Sequence, residues 1–162
     1  LMDLSQRVED ILKGAALMTG TTVDAQWDEH PMSLPVRNNA TLARRWGATQ
    51  ASRGRDVLPA GTLPDSQAAS TDFGNVSHLV PGIHPLVKIA PEGTALHTTD
   101  FAAAAISDQA FEGAFDAAVG LAQTIADILN DPQLLADAQE EFRLAGGAIS
   151  VEKLLAGAAT QR

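Results

Sequence analysis

The sequence predicts a helix-rich α/β fold. Several segments repeat apolar residues at the spacing of one helix face, and two short segments, 21–27 and 83–89, have the pattern of strands. The 162 residues are enough for one ordinary domain, and no apolar run approaches the roughly 20 residues that a membrane span needs. We therefore expect a soluble protein with a real hydrophobic core.

The first 27 residues predict a helix followed by a strand. Ser5 is a candidate helix cap, and Gly20 is expected to end the helix. Residues 21–27 then alternate between two faces, as a half-buried strand does. A lone strand leaves backbone groups unpaired on both of its edges, so its sheet partners are expected outside these residues.

The rest of the chain predicts further helices and one strand. A connector with two prolines spans residues 28–35, and Asn38 or Asn39 can cap the helix that follows it. Residues 54–70 have the composition of a surface loop. The remaining predicted elements, in chain order, are a strand at 83–89, a helix capped by Thr98 or Thr99, a long helix at 108–130, and shorter helices at 133–144 and 150–156.

Charge and cysteine content exclude several classes of partner and site. The formal net charge is −9, and the 11 Lys and Arg residues are scattered, which argues against nucleic acid as a partner. Because the chain has no cysteine, it forms no disulfide and no thiolate zinc site of its own. No membrane partner is expected either.

Three of the four histidines lie between residues 78 and 97. His97 follows a Glu-Gly-Thr turn and precedes two threonines that can cap a helix, a position that suits either a hydrogen-bonded structural histidine or a metal ligand. His84 is a candidate pocket-lining or structural residue, and His78 and His30 are weaker candidates for metal binding. None of them forms a His-Glu-x-x-His motif.

A second candidate segment is Ser70-Thr71-Asp72-Phe73-Gly74-Asn75-Val76-Ser77. An acid and short polar side chains next to a glycine are typical of a tight turn whose backbone approaches a ligand. The alternative is an Asx turn or a helix cap made by Asp72 or Asn75.

Three segments in this order, 69–77, 80–85 and 93–102, closely resemble the C-terminal part of M20-family metallopeptidases. The pattern is most similar to the amidohydrolase branch that includes aminobenzoyl-glutamate hydrolases and M20 domain-containing dipeptidases. The resemblance extends over about residues 5–132, which is most of the chain.

The resemblance implies the C-terminal portion of a zinc-exopeptidase-like catalytic domain, together with the last helix and strand of an inserted α/β lid. The implied domains are residues 1–32 as the end of a lid or dimerisation domain, 33–132 as catalytic-domain polypeptide, and 133–162 as a C-terminal helical extension. On this interpretation, the preceding part of the same protein supplies the missing sheet partners.

The resemblance also implies roles for particular residues. His97 corresponds to the family's final metal ligand, in its Gly-Thr-x-Leu-His-Thr segment, and Ser70, Thr71, Asp72 and His84 line the substrate pocket. The other ligands of the two metal ions, usually zinc, and the glutamate general base lie upstream in the family. No catalytic residue is therefore assigned within this chain, and we do not expect the chain alone to retain the metal ions.

The function implied is metal-dependent hydrolysis of an amide bond in a small N-acyl amino acid or a dipeptide-like substrate. The protein is expected to be cytoplasmic and to be inactive without the missing N-terminal part, and a homodimer is a candidate assembly. The alternative is a non-catalytic assembly or dimerisation module that keeps the fold.

Overall fold

A computed structural model describes residues 2–27, 33–59, 62 and 71–151. The chain divides into two compact units, Leu1–Met32 and Ser33–Arg162. Within the described ranges, no helix has both the length and the apolar character needed to cross a bilayer. The assignment of three functional domains to the chain stays a prediction.

The first unit contains helix α1, Met2–Thr19. The helix already includes Ser5, so the prediction that Ser5 is its N-cap is wrong. Gly20 ends the helix as expected: its φ is 68°, and the following Thr21 amide donates to the Ala16 carbonyl at 3.0 Å. This is the hydrogen bonding of a glycine-terminated helix, in which a left-handed residue turns the chain away from the axis.

The two predicted strands, 21–27 and 83–89, do not form strands in the part of the chain that the structure describes. A strand exists as such only when its backbone pairs with a neighbour, and the described residues supply no neighbour to either segment. The expected sheet and α/β lid are therefore not seen, whereas the helix-rich character is confirmed.

The second unit is built from helices. They are α2 (Ala40–Ser52), α3 (Phe73–Ser77), α4 (Thr99–Ala104), α5 (Asp108–Asn130) and α6 (Pro132–Leu144). Helix α5 has the bounds that its periodicity predicted, and α6 opens at Pro132, where a proline costs no intrahelical hydrogen bond. Helix α3 was not predicted. Of the helix expected at 150–156, only the first two residues lie within the described ranges.

Helices α2, α5 and α6 pack on one another and hold the core of this unit. Gly120 allows the closest approach of α5 to α2, since a Cβ at that position would stand 2.3 Å from Nε2 of Gln50 and 2.6 Å from Nε1 of Trp46. The buried apolar side chains are Leu42, Trp46, Ala90, Ala110, Ala138 and Val151.

Hydrogen bonds connect the N-terminus of α2 to α6. The Asn39 side chain accepts from the Leu42 amide at 3.1 Å, which confirms Asn39 as the cap, and donates to the Ala138 carbonyl at 2.9 Å. The Glu141 carboxylate accepts from the amide and the hydroxyl of Thr41 at 2.9 and 2.7 Å. Two side chains thus satisfy helix-end donors that would otherwise lack partners.

Candidate functional site

The segment before α2 holds the loop that contains the predicted substrate-binding residues. The Leu34 amide donates to Oδ1 of Asn75 at 2.8 Å, and the Arg37 amide donates to Oγ of Ser77 at 2.9 Å. Ser77 is fully buried, and its hydroxyl donates a hydrogen bond to the Gly74 carbonyl at 2.7 Å. These bonds join residues about 40 positions apart and fix α3 against the connector.

Thr71 and Asp72 stand at the N-terminal end of α3. The Asp72 side chain makes no capping hydrogen bond, and Thr71 contacts it through a 3.3 Å hydroxyl–carboxylate bond. The side chain of Asn75, the other candidate cap, accepts a hydrogen bond from the Leu34 amide instead. The Asp72 carboxylate is therefore exposed and available to a ligand. Ser70, predicted alongside them, lies outside the described residues.

His84 lies beside Phe73, the first residue of α3. The two rings stack with their centroids 5.4 Å apart and their planes inclined by 30°. The His84 amide donates to Oδ1 of Asn38 at 2.8 Å, which fixes the backbone and leaves the imidazole exposed beside Phe73. The stacked pair of Phe73 and His84 follows Asp72 in the loop and offers an aromatic surface with a polar edge.

His97 has an unusual backbone conformation. Its φ is 61°, and no other non-glycine residue in the described ranges has a positive φ. The conformation costs a side-chain-bearing residue about 1–2 kcal/mol, and such costs are concentrated at functional sites. Thr98 follows as the N-cap of α4, its hydroxyl accepting from the Phe101 amide at 3.2 Å, and the His97 side chain is exposed.

The structure does not join His97 to the other predicted residues. No hydrogen bond or ring contact links it to Thr71, Asp72 or His84 among the described residues. The same ranges contain no group of three His, Cys, Asp or Glu side chains able to hold a metal ion. A catalytic zinc needs about three protein ligands, so His97 does not build a zinc site with the other described residues alone.

The remaining histidines have different positions. Nε2 of His78 lies 3.1 Å from the Pro35 carbonyl oxygen, and its Nδ1 is buried without a partner in the described structure. His78 therefore belongs to the contact between connector and loop. His30 lies outside the described residues.

A cavity of about 350 Å³ lies away from all of these residues, lined by Arg53, Phe111, Glu112, Phe115 and Asp116. Two of its charged residues, Arg53 and Asp116, are paired: Nε of Arg53 and Nε of Arg55 lie 2.5 and 2.6 Å from the two Asp116 oxygens. Hydrogen bonds from Arg53 and then Arg55 lower the pKa of Asp116 from its usual value, so the carboxylate stays charged against both cations. The Glu112 carboxylate also lines this cavity, and no hydrogen bond or ion pair to it is seen among the described residues.

Sequence reasoning missed the residues that position the loop. Asn38, Asn75 and Ser77 each bind a backbone amide far along the chain, and no local pattern in their neighbourhoods signals such a bond. The Phe73–His84 stack was missed for the same reason.

Comparison with known proteins relates this chain to dipeptidases. It is 34% identical over 143 residues to an Xaa-Arg dipeptidase of Mus musculus, and 33% identical over 144 residues to an Xaa-Arg dipeptidase of Homo sapiens. These matches cover 88% and 89% of this chain, but the chain spans only about a third of the length of either relative. No family model and no solved structure matches the chain.

Proposed function

We propose that this chain is the C-terminal part of a metal-dependent peptidase of the M20 type, which hydrolyses the amide bond of a dipeptide or a small N-acyl amino acid. The observation that carries the proposal is the homology to two Xaa-Arg dipeptidases along nearly all of the chain. Dipeptides of the Xaa-Arg type are accordingly the first substrates to test.

In this proposal His97 supplies one metal ligand, and polypeptide outside these 162 residues supplies the others and the general base. The exposed imidazole and the strained backbone at His97 support the assignment, because a costly conformation persists where it holds a side chain in a required position. A bound divalent metal would polarise the scissile carbonyl and activate water.

Thr71, Asp72 and His84 would contact the substrate. The Asp72 carboxylate is not used by the fold as a cap, and it can pair with a cationic group of the substrate. His84 and Phe73 together offer an aromatic surface with a polar edge. The loop is held by hydrogen bonds from the Leu34 and Arg37 amides, which would set its geometry before substrate arrives.

The test is a hydrolysis assay on the full-length protein with a panel of dipeptides and N-acyl amino acids, repeated after chelation and after restoring zinc. We expect hydrolysis that chelation abolishes and zinc restores, and a loss of at least about 100-fold in kcat/KM for His97→Ala. Failure to cleave any member of the panel, or full activity in the metal-free protein, would overturn the proposal. Turnover by the 162-residue chain alone would contradict the role given to the remaining polypeptide.

A further inference from the structure

The guanidinium of Arg37 is bound by the turn that follows α6. Nη1 donates to the Ala145 carbonyl at 3.0 Å, Nη2 donates to the Gly147 carbonyl at 2.6 Å, and the group lies over the Phe142 ring, 4.4 Å from its centroid. Ala145 is the C-cap of α6, where carbonyl groups lack partners within the helix and a positive charge is favourable. A planar guanidinium can donate to both carbonyls and stack on the ring at once, which a lysine cannot do.

The turn itself has a defined backbone conformation. Gly146 and Gly147 have φ values of 105° and 65°, which glycine adopts without steric cost. The Gly147 amide donates to the Phe142 carbonyl at 3.0 Å, as in a helix that ends on glycine. The turn therefore holds its carbonyl groups at fixed positions for the arginine.

Arg37 and this turn are both bonded to α3 as well, the helix that Asp72 precedes. The Arg37 amide donates to Oγ of Ser77 at 2.9 Å. The Ile149 amide, just beyond the turn, donates at 2.8 Å to the carbonyl of His78, which is the C-cap of α3. In the described part of the chain, no hydrogen bond joins Arg37 to Asp72 directly, so the arginine acts on this carboxylate only through α3.

We propose that Arg37 is a positioning residue for substrate binding: it fixes the loop of residues 71–77 to the turn after α6, so that Thr71 and Asp72 meet the substrate at a defined place. The inference rests on the proposed function in treating this loop as part of the substrate site, and it adds the turn at 145–147 to the segments on which that site depends. Because none of these contacts involves His97, loss of the guanidinium weakens substrate binding more than it slows the chemical step.

The test compares steady-state kinetics of the full-length parent protein, Arg37→Ala and Arg143→Ala. Arg143 is the matched control, since its guanidinium binds Glu140 within the same helix, at 2.6 and 2.7 Å. With the best-cleaved member of the dipeptide panel, we expect Arg37→Ala to raise KM at least about tenfold and to change kcat by less than about threefold. Arg143→Ala is expected to leave both unchanged.

Residue-resolved hydrogen exchange of the same full-length proteins gives a readout that does not need activity. The amides of Leu34 and Ile149, which donate to Asn75 and to the His78 carbonyl, should exchange at least about tenfold faster in Arg37→Ala, while amides in the middle of α5 keep the parent rate. Faster exchange at these two amides in a protein that cleaves no dipeptide would sustain the attachment of the loop through Arg37 while refuting the proposed function.

A lower kcat with the KM of the parent would overturn the proposal, because that is the result of losing folded protein and not of displacing the substrate site. Parent-like exchange at Leu34 and Ile149, or the same rise in KM in Arg143→Ala, would overturn it too. If Arg37→Ala does not fold, Arg37→Lys replaces it: the ammonium keeps the charge but cannot donate to both carbonyls and stack on Phe142, so the same effects are expected at smaller size. A KM equal to that of the parent in Arg37→Lys would then overturn the proposal.

Discussion

The backbone of Gly74 lies so close to Leu34 that a Cβ on residue 74 would stand 1.7 Å from the Leu34 carbonyl oxygen. That atom belongs to the backbone and cannot rotate away as a side chain can. The contact joins the connector to α3, the helix that begins beside Thr71 and Asp72. The placement of the proposed substrate loop therefore depends on the absence of a side chain at this position.

Gly74→Ala is expected to destabilise the second unit by at least about 2 kcal/mol, because the steric cost of the new methyl group exceeds the roughly 1 kcal/mol that alanine gains in helix propensity. Urea unfolding followed by circular dichroism measures the change. Gly14→Ala in α1 is the matched control, since a Cβ there meets nothing within 4 Å, and it should stabilise its helix slightly. Equal stability of Gly74→Ala and the parent protein would refute the close contact.

Ser77→Ala tests the buried hydrogen bonds behind the same loop. The substitution leaves the Arg37 amide and the Gly74 carbonyl without their partner in a site closed to water. The expected loss of unfolding free energy is about 1–3 kcal/mol. Ser52→Ala removes a hydroxyl of the same type from an exposed residue and should change stability by less than about 0.5 kcal/mol. Similar effects of the two substitutions would show that Ser77 does not hold the loop.

Glu141 gives the stability of the helical unit a pH dependence. Burial raises the pKa of its carboxyl, but hydrogen bonds from the Thr41 hydroxyl and from the amides of Ala40 and Thr41, with the charge of Arg44, leave the pKa below its ordinary value. A lowered pKa means that the charged form stabilises the folded state. This contribution is complete above the unfolded pKa of about 4.3 and is lost as pH falls through the lower folded value.

Glu141→Ala should therefore cost about 2 kcal/mol at pH 7, because two first-turn amides of α2 lose their acceptor. Glu141→Gln keeps an acceptor of the same shape but cannot be charged. The difference in unfolding free energy between the parent protein and Glu141→Gln should shrink steadily as pH is lowered below about 4. A difference that is constant from pH 7 to pH 3 would contradict the assigned role of the carboxylate.

The sequence predicted the structural features that have a local sequence pattern, and it missed those that do not. Helix α5 was predicted with its observed bounds because a long apolar period ends at an Asn-Asp-Pro break; the Ser107 cap at its other end is seen only in the structure. The cap at Asn39 and the glycine at the end of α1 are local signals of the same kind. Helix α3 is only five residues long, and no apolar period can be recognised over that length.

The strands and the site depended on information that a local pattern does not contain. Residues 83–89 have a strand period, but strand formation needs a partner that the described residues do not supply. His84 and Asp72 could be named from the sequence, yet the stacking of His84 on Phe73 could not. The positive φ of His97 was likewise not predicted: histidine is enriched among the non-glycine residues that adopt a positive φ, but no local pattern around residue 97 specifies it.

The strained backbone at His97 allows a test of whether this histidine is kept for the fold or for a function. Glycine adopts a φ of 61° without steric cost, although it also loses more freedom on folding than histidine does. The net expectation for His97→Gly is therefore unchanged stability, or a gain of up to about 1 kcal/mol, in the metal-free protein. A histidine retained for the fold alone would give a loss of stability instead.

The most direct test of the central claim is the zinc affinity and stoichiometry of the full-length protein, measured for the parent, His97→Gly and, as a matched control, His84→Gly. The account predicts that His97→Gly weakens zinc binding at one site by at least about 100-fold while the metal-free protein stays folded, and that His84→Gly binds zinc like the parent. Unchanged zinc affinity and stoichiometry in His97→Gly would contradict the claim that this imidazole is a metal ligand.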